Sequence, residues 1–153
     1  MKCFSVLFIC IIFTSFTGLQ NCAAQIKPVN KENVTTKFTN PIIWADVPDL
    51  SITRIGDDFY LISTTMHLMP GAPIMHSKDL VHWEMVSYVF DTLNDNSKYD
   101  LLDGTVYGRG QWASSIRYHK GKYYVLFSPN DEPFKSYIYA TENPEKGNWK
   151  LIT

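Results

Sequence analysis

Short runs of β-branched and aromatic residues alternate with turn residues along most of this chain. Residues 52–55 (Ile-Thr-Arg-Ile) and 59–63 (Phe-Tyr-Leu-Ile-Ser) flank a Gly-Asp-Asp turn at residues 56–58. Such residues fit the pleated surface of a strand, and a Gly-Asp turn between two of these runs is typical of a hairpin. The pattern therefore predicts two antiparallel strands joined by a tight turn.

The same hairpin pattern occurs a second time further along the chain. Residues 115–128 reproduce the run, turn and run of the first hairpin, and Tyr124 lies 64 positions after Tyr60. Trp149 follows Trp83 by 66 positions, so the register drifts by two across the repeat. A repeat of this size, with four short strands in each copy, is typical of a β-propeller blade. The sequence therefore predicts an all-β fold with about two propeller blades.

The remaining segments of the repeat complete the predicted architecture. Residues 72–76 and 82–88 are predicted to form the third and fourth strands of the first blade, and residues 42–44 a further strand. Residues 91–110 form a long polar connection, of the kind that often covers a binding face. No helix is predicted in residues 25–153.

Residues 1–24 have the features of a secretory signal peptide. Lys2 supplies the positive start, residues 3–16 form an apolar core too short to span a bilayer comfortably, and small residues precede a cleavage point after Ala24. The prediction is a secreted or periplasmic protein without a membrane span. Residues 25–39 are polar and are predicted to be a linker.

A second interpretation of this segment is a lipoprotein signal. Residues 19–22 (Leu-Gln-Asn-Cys) resemble a lipobox, which would anchor the chain to a membrane through Cys22. Asn21 is a poor residue directly before a lipidated cysteine. Cleavage after Ala24 is therefore ranked first, and the lipid anchor second.

Composition excludes several classes of function. All three cysteines, Cys3, Cys10 and Cys22, lie in the predicted signal peptide, so the mature chain would have neither disulfides nor cysteine-bound metal. Removing Lys2 with that peptide leaves 13 basic and 15 acidic residues, and such a balance gives no basic field for nucleic acid. No cofactor is predicted.

A propeller closes only when typically 4–8 blades complete the ring. Two blades would leave sheet edges without partners. Residues 40–153 are therefore predicted to be the N-terminal part of a longer propeller.

Two aspartates stand immediately before the first predicted hairpin. Asp46 and Asp49 belong to the run Ala-Asp-Val-Pro-Asp-Leu-Ser at residues 45–51. A carboxylate at the start of a strand is held by a rigid scaffold and can still face a cavity. Asp and Pro are also common in ordinary turns, so spacing alone leaves a functional and a purely structural interpretation open.

The order of several short motifs resembles glycoside hydrolase family 43 from about Asn40 to Thr153. The matching motifs are residues 40–43 (Asn-Pro-Ile-Ile), 48–51 (Pro-Asp-Leu-Ser), 54–60 (Arg-Ile-Gly-Asp-Asp-Phe-Tyr), 63–65 (Ser-Thr-Thr), 70–71 (Pro-Gly), 76–83 (His-Ser-Lys-Asp-Leu-Val-His-Trp) and 112–113 (Trp-Ala). The resemblance implies a five-bladed propeller whose central site cleaves arabinofuranosyl or xylosyl units from plant polysaccharides with inversion.

The resemblance also implies which residues act. The family's catalytic base maps onto Asp49, although Leu50 replaces the Pro that usually follows it. The family's acid Glu and its orienting Asp lie in later blades, and neither Asp131 nor Glu132 has the surrounding motif. This chain is therefore expected to carry the base without the acid, and to be inactive alone.

Three further residues are expected near the substrate. Trp112 matches the family's Trp-Ala and would wall the sugar site, since sugar C–H faces stack on aromatic rings; the alternative is a core position between blades. Met66 falls where some family xylosidases place an aromatic wall, and His67 is predicted nearby, with packing as its alternative. A structural calcium ion in the central channel of the complete propeller is the one metal that the resemblance allows.

Two other interpretations of the whole chain stay open. One is a non-catalytic propeller that binds carbohydrate, and the other is a gene remnant without a folded product. The acid Glu, if encoded after Thr153, would distinguish the enzyme from the binding propeller, and a test of folding would identify the remnant.

Overall fold

The computed structural model of the protein describes residues 37–153. The predicted signal peptide, the alternative lipid anchor at Cys22 and residues 25–36 of the predicted linker lie outside the described residues. Within the described part of the chain, no helix is long and apolar enough to cross a membrane.

The fold consists of two four-stranded antiparallel sheets, and each sheet is a meander of consecutive strands. The first sheet contains β1 (Ser51–Ile55), β2 (Asp58–Ile62), β3 (Gly71–Ser77) and β4 (Glu84–Phe90); the second contains β5 (Gln111–His119), β6 (Lys122–Pro129), β7 (Tyr137–Thr141) and β8 (Lys150–Leu151). The two sheets have the same strand order, so the repeat predicted from the sequence is a structural repeat and the all-β prediction is confirmed.

Two local predictions were wrong. Residues 42–44 form no strand, because the run is only three residues long and follows Pro41, which has no N–H to donate to a ladder. The long connection between the sheets contains a short 3₁₀ helix, Ser97–Asp100, where no helix was predicted. Asn96 caps this helix by accepting a hydrogen bond from the Lys98 N–H at 3.0 Å.

The core lies between the two sheets, whose first strands run beside each other. Ser51 Oγ in β1 accepts hydrogen bonds from the Ile116 N–H at 3.4 Å and the Arg117 guanidinium at 3.2 Å, both in β5. Buried apolar side chains from both sheets form one cluster: Tyr60, Ile62, Ala72, Ile74, Val89, Phe90, Leu93, Ile116, Tyr123, Val125, Phe127 and Tyr137. The burial of this shared cluster stabilises the contact between the blades.

Polar contacts also join the blades away from β1 and β5. The Tyr60 hydroxyl donates a hydrogen bond to Glu145 Oε1 at 2.8 Å, and Ser87 Oγ donates to the Pro144 carbonyl at 2.6 Å. Burial and, after it, the neighbouring Glu145 carboxylate raise the pKa of the Tyr60 hydroxyl. The hydroxyl therefore stays protonated and available as the donor between the blades.

The strand register brings several chain turns to one edge of the molecule, which we call the rim. Ser51 at the start of β1 pairs with Ile62 at the end of β2, and Gln111 at the start of β5 pairs with Pro129 at the end of β6. An isolated bridge between Met66 and Gln111 joins the two blades at this edge. The residues that precede β1 and follow β2 therefore lie beside those that start β5.

Candidate functional site

Asp49 lies at the rim in a backbone conformation that is uncommon for residues with a side chain. Its φ of 52° is in the left-handed region, which Asp tolerates better than most residues. Thr64 Oγ1 donates a hydrogen bond to Asp49 Oδ2 at 3.3 Å. The preceding Pro48 carbonyl accepts from the Thr64 N–H at 3.2 Å and from Ser63 Oγ at 2.9 Å. Ser63 and Thr64, which follow β2, thus fix both the backbone and the carboxylate of this turn.

Gln111 is a fully buried polar side chain that links the two blades behind this turn. Its Oε1 accepts two hydrogen bonds from Thr65, from the backbone N–H at 2.7 Å and from Oγ1 at 3.0 Å. Its Nε2 lies within hydrogen-bond distance of the Ser63 carbonyl (3.2 Å), the Trp112 carbonyl (2.7 Å) and Ser114 Oγ (2.6 Å). A buried amide satisfied in this way fixes the position of the groups around it.

Met66 directly follows Thr65 in the chain and is exposed at the rim. Its N–H donates to the Gln111 carbonyl and its carbonyl accepts from the Gln111 N–H, both at 2.9 Å. This pair holds Met66 at a φ of 54°, which is costly for a residue with a Cβ. Gly110 approaches the Met66 carbonyl so closely that a Cβ there would lie 2.3 Å from its oxygen.

His67 and Trp112 are joined through the peptide groups of Gly108. The Gly108 N–H donates to His67 Nδ1 at 3.3 Å, and Trp112 Nε1 donates to the Gly108 carbonyl at 3.2 Å. The Tyr107 ring lies 4.8 Å from the His67 ring, centroid to centroid. Trp112 is 44% exposed, so much of its indole faces solvent. The end of the long connection therefore places three rings at the rim.

The four residues predicted for the site lie on three chain segments that the structure brings together. Asp49 is bonded to Thr64, two residues before Met66 and three before His67, while Gln111 connects this segment to Trp112. The roles of Asp49 as base and of Met66, His67 and Trp112 as substrate contacts stay predictions. The carboxylate and the rings nevertheless share one edge of the molecule.

Asp131, which lacks the family's catalytic motif, has a structural role. It is buried, and it accepts hydrogen bonds from Asn96 Nδ2 at 3.0 Å and the Glu132 N–H at 2.9 Å, with Arg109 at 3.4 Å. Burial, followed by the Asp131 carboxylate, raises the pKa of Tyr99 to about 12. Asp131 thus attaches the long connection to the second blade.

Sequence reasoning missed Thr64, Gln111 and Tyr107 at this site. Thr64 was within a motif that resembled the family, yet its bond to Asp49 requires a left-handed turn that spacing does not reveal. Gln111 directly precedes the noticed Trp-Ala pair, but a polar residue before a strand gives no sign of complete burial. Tyr107 was within a connection that was expected to cover a binding face.

Residues 37–153 contain no group of three or more His, Cys, Asp or Glu side chains arranged to hold a metal ion. The calcium ion that the resemblance allows in a complete propeller stays a prediction.

Comparison with known proteins agrees with this fold. Residues 38–151 match the model of glycosyl hydrolases family 43, so the chain belongs to that family. It is 38% identical over 113 residues to the non-reducing end alpha-L-arabinofuranosidase of Bacteroides ovatus and 42% identical over 114 residues to a beta-xylosidase of Formosa agariphila, covering 73% of this chain in both cases.

Two solved structures show the same architecture. The bifunctional GH43-CE protein of Bacteroides eggerthii is 51% identical with a TM-score of 0.70, and covers 74% of this chain and 15% of its own. The xylan beta-1,4-xylosidase of Bacillus halodurans is 30% identical with a TM-score of 0.61, and covers 75% of this chain and 22% of its own. This likeness confirms the prediction of a partial β-propeller with about two blades.

The chain matches only a small part of the length of each relative. The chain spans 21% of the Bacteroides ovatus protein and 18% of the Formosa agariphila protein. The two blades thus correspond to about a fifth of each relative. The enzymatic activity of the relatives is therefore carried over to this chain only as a proposal.

Proposed function

We propose that these two blades form the base-bearing part of a glycoside hydrolase that removes arabinose or xylose units from plant polysaccharides with inversion. The observation that carries the proposal is the turn at Asp49, where Thr64 holds the carboxylate at the rim of a family 43 fold. The names of the relatives, an arabinofuranosidase and a beta-xylosidase, support pentose-containing substrates.

Asp49 would act as the general base. Thr64 engages Oδ2, while Oδ1 has no hydrogen-bond partner among residues 37–153 and can accept the proton of a water molecule. That water attacks the anomeric carbon from the face opposite the leaving oxygen, which a carboxylic acid protonates from the other side. The two carboxyl groups then stand roughly 6.5–9.5 Å apart, with the water beside the base.

The acid would come from another blade of the ring. Residues 40–153 contain no match for the family's acid Glu, and Asp131 is occupied by Asn96, Arg109 and the Glu132 N–H. Two carboxyl groups and a water molecule suffice for this hydrolysis, so the reaction requires no cofactor. Met66 and His67 would contact the bound sugar because they follow Thr64, which binds Asp49. Trp112 would contact it because Gln111, the residue before it, is bonded to Thr65.

A chimaera provides the test, and we call it the completed ring. Residues 38–151 of this chain replace the corresponding stretch of the Bacteroides ovatus relative, so that the relative supplies the remaining blades. The completed ring should release pentose from arabinofuranosyl or xylosyl oligosaccharides, and NMR should show the first product with the inverted anomeric configuration. A product of retained configuration would contradict the mechanism.

A carbohydrate-binding propeller is the second candidate, since residues 40–153 contain no match for the family's acid Glu. A completed ring that is folded and binds xylo-oligosaccharides, measured by calorimetry, without releasing pentose would favour this alternative. It would show that the folded ring binds sugar while Asp49 does not act as a base.

Export to the periplasm or the exterior is part of the same proposal, because polysaccharides are outside the cell. Signal peptidase cleavage after Ala24 would make Gln25 the first residue of the mature protein. N-terminal sequencing of the exported protein should begin at Gln25. A lipid-modified Cys22 at the terminus would show instead that the protein is anchored to a membrane.

A further inference from the structure

We propose that Tyr107 and His67 form a subsite for a second sugar unit, the one attached to the leaving oxygen of the cleaved pentose. This subsite rests on the proposed function, and it adds a residue that determines which leaving group is preferred. Tyr107 lies in the long connection between the blades, which the sequence marked only as a candidate cover for a binding face.

Tyr107 combines an exposed ring with a fixed backbone. Its ring is 80% exposed, yet its N–H donates to Thr105 Oγ1 at 3.2 Å. The adjacent Gly108 is bonded to His67 through its N–H and to Trp112 through its carbonyl. An aromatic ring whose backbone is held on both sides loses little conformational entropy when a ligand covers it.

His67 offers a hydrogen-bond donor beside the Tyr107 ring. Because Nδ1 accepts the Gly108 N–H, a neutral His67 carries its proton on Nε2. Nε2 has no hydrogen-bond partner among the described residues, so it can donate to a ligand hydroxyl. A donor next to an aromatic face matches the sugar ring, which offers both a C–H face and hydroxyl groups.

Charge favours an uncharged ligand at this place. The cation nearest in sequence, Arg109, lies 3.4 Å from the buried Asp131 carboxylate, which balances its charge. The subsite itself consists of a phenol ring and an imidazole that donates from Nε2. These groups fit a neutral saccharide better than a phosphate or a carboxylated ligand.

The position of Tyr107 indicates which sugar it would contact. Asp49 is bonded to Thr64, which follows β2, whereas Tyr107 belongs to the connection that precedes β5 and contacts the ring of His67. The cleaved pentose has to lie against Asp49. Tyr107 would therefore contact the next unit of the chain, beyond the cleaved bond.

The test compares two leaving groups in the completed ring. The value of kcat/KM is measured for a pentose-linked xylo-oligosaccharide and for the corresponding pentosyl fluoride, whose leaving group has no ring to stack. Tyr107→Ala should lower the ratio of the first value to the second by about three- to tenfold, as expected for a lost stacking contact. Tyr107→Phe, which keeps the ring, should retain the ratio of the unsubstituted protein.

The matched control is Tyr118→Ala, because Tyr118 is half-exposed near the opposite end of β5 and should leave the ratio unchanged. An unchanged ratio in Tyr107→Ala would overturn the subsite while leaving the proposed function intact. A completed ring that hydrolyses neither substrate would overturn the proposed function, and with it the subsite. Melting temperatures of all variants confirm that each is folded.

Discussion

Gln111 and Thr65 join the two blades through a pair of buried hydrogen bonds. Oε1 of Gln111 accepts from the Thr65 N–H at 2.7 Å and from Thr65 Oγ1 at 3.0 Å, while the amide is fully buried. The residue before Thr65 is Thr64, which binds the Asp49 carboxylate. The position of the proposed base therefore depends on a side chain of the second blade.

Replacing Gln111 should weaken both the fold and the site. In the completed ring, Gln111→Met removes the acceptor of the Thr65 N–H and the donor to the Ser63 carbonyl. Buried polar groups without partners cost about 1–3 kcal/mol each, so the free energy of unfolding should fall by about 2–5 kcal/mol. Urea denaturation measures it. The control is Ser114→Ala, which removes, of the Gln111 contacts, only the one between Ser114 Oγ and Gln111 Nε2. An equal loss of stability in both variants would contradict this role of Gln111.

Gly110 should be the least replaceable glycine at the site. A Cβ at Gly110 would lie 2.3 Å from the Met66 carbonyl oxygen, and φ is +98°. Gly56 has a positive φ of +60° but open space around it, so Gly56→Ala should cost only the backbone strain of about 1–2 kcal/mol. Gly110→Ala should cost clearly more in urea denaturation of the completed ring. Similar losses for the two variants would show that Met66 moves aside freely.

Acid should remove a stabilising contribution of Asp58. Hydrogen bonds from Lys78, and then from His76, hold the pKa of the Asp58 carboxyl below its usual value. A carboxyl whose pKa is lower in the folded state stabilises above its unfolded pKa of 3.8, and the stabilisation is lost as the pH falls through the folded value. The Tm difference between the unsubstituted completed ring and Asp58→Asn should therefore narrow below about pH 4.

Calorimetry of both proteins from pH 7 to pH 3 measures this difference. Asp57→Asn is the control, because Asp57 is exposed and its nearest cation is Arg54 at 3.7 Å. It should change Tm less than Asp58→Asn at pH 7. A gap for Asp58→Asn that widens as the pH falls would contradict the assignment.

The two blades should not fold cooperatively by themselves. Apolar side chains including Ile42, Leu50 and Ile52 line an open cavity of about 720 Å³ against the first sheet, and no other strand of residues 37–153 covers it. Residues 25–153 alone should therefore be poorly soluble or molten, because blades depend on their neighbours. A sharp calorimetric melt of the monomer would show instead a self-sufficient small domain.

The strands and their repeat were predictable because both depend on local pattern. β-branched and aromatic runs around Gly-Asp turns, with Tyr60 echoed by Tyr124 and Trp83 by Trp149, indicated both sheets. Residues 42–44 have the same apolar composition as the strands but no strand to pair with. Strand pairing is a non-local property, so a short run alone could not predict it.

Of the site, the sequence could predict only the residues that belong to recognisable motifs. Asp49 was singled out by its position before β1, and Trp112 by its match to the family. Gln111 could not be foreseen, because its role depends on polar contacts of its amide with segments of both blades. Tyr107 could not be placed either, since its position results from Gly108 being bonded between His67 and Trp112.

The central claim is that Asp49 is the base, and two variants of the completed ring test it most directly. Asp49→Asn should keep the fold and substrate binding yet lower kcat by ~10²–10⁴-fold, the usual contribution of a catalytic carboxylate. Asp46→Asn, three residues earlier and outside the family motif, should change kcat far less. The measurement is kcat on an aryl pentoside, with a melting curve for each variant. Near-normal kcat in Asp49→Asn together with a large loss in Asp46→Asn would show that the base is the other aspartate.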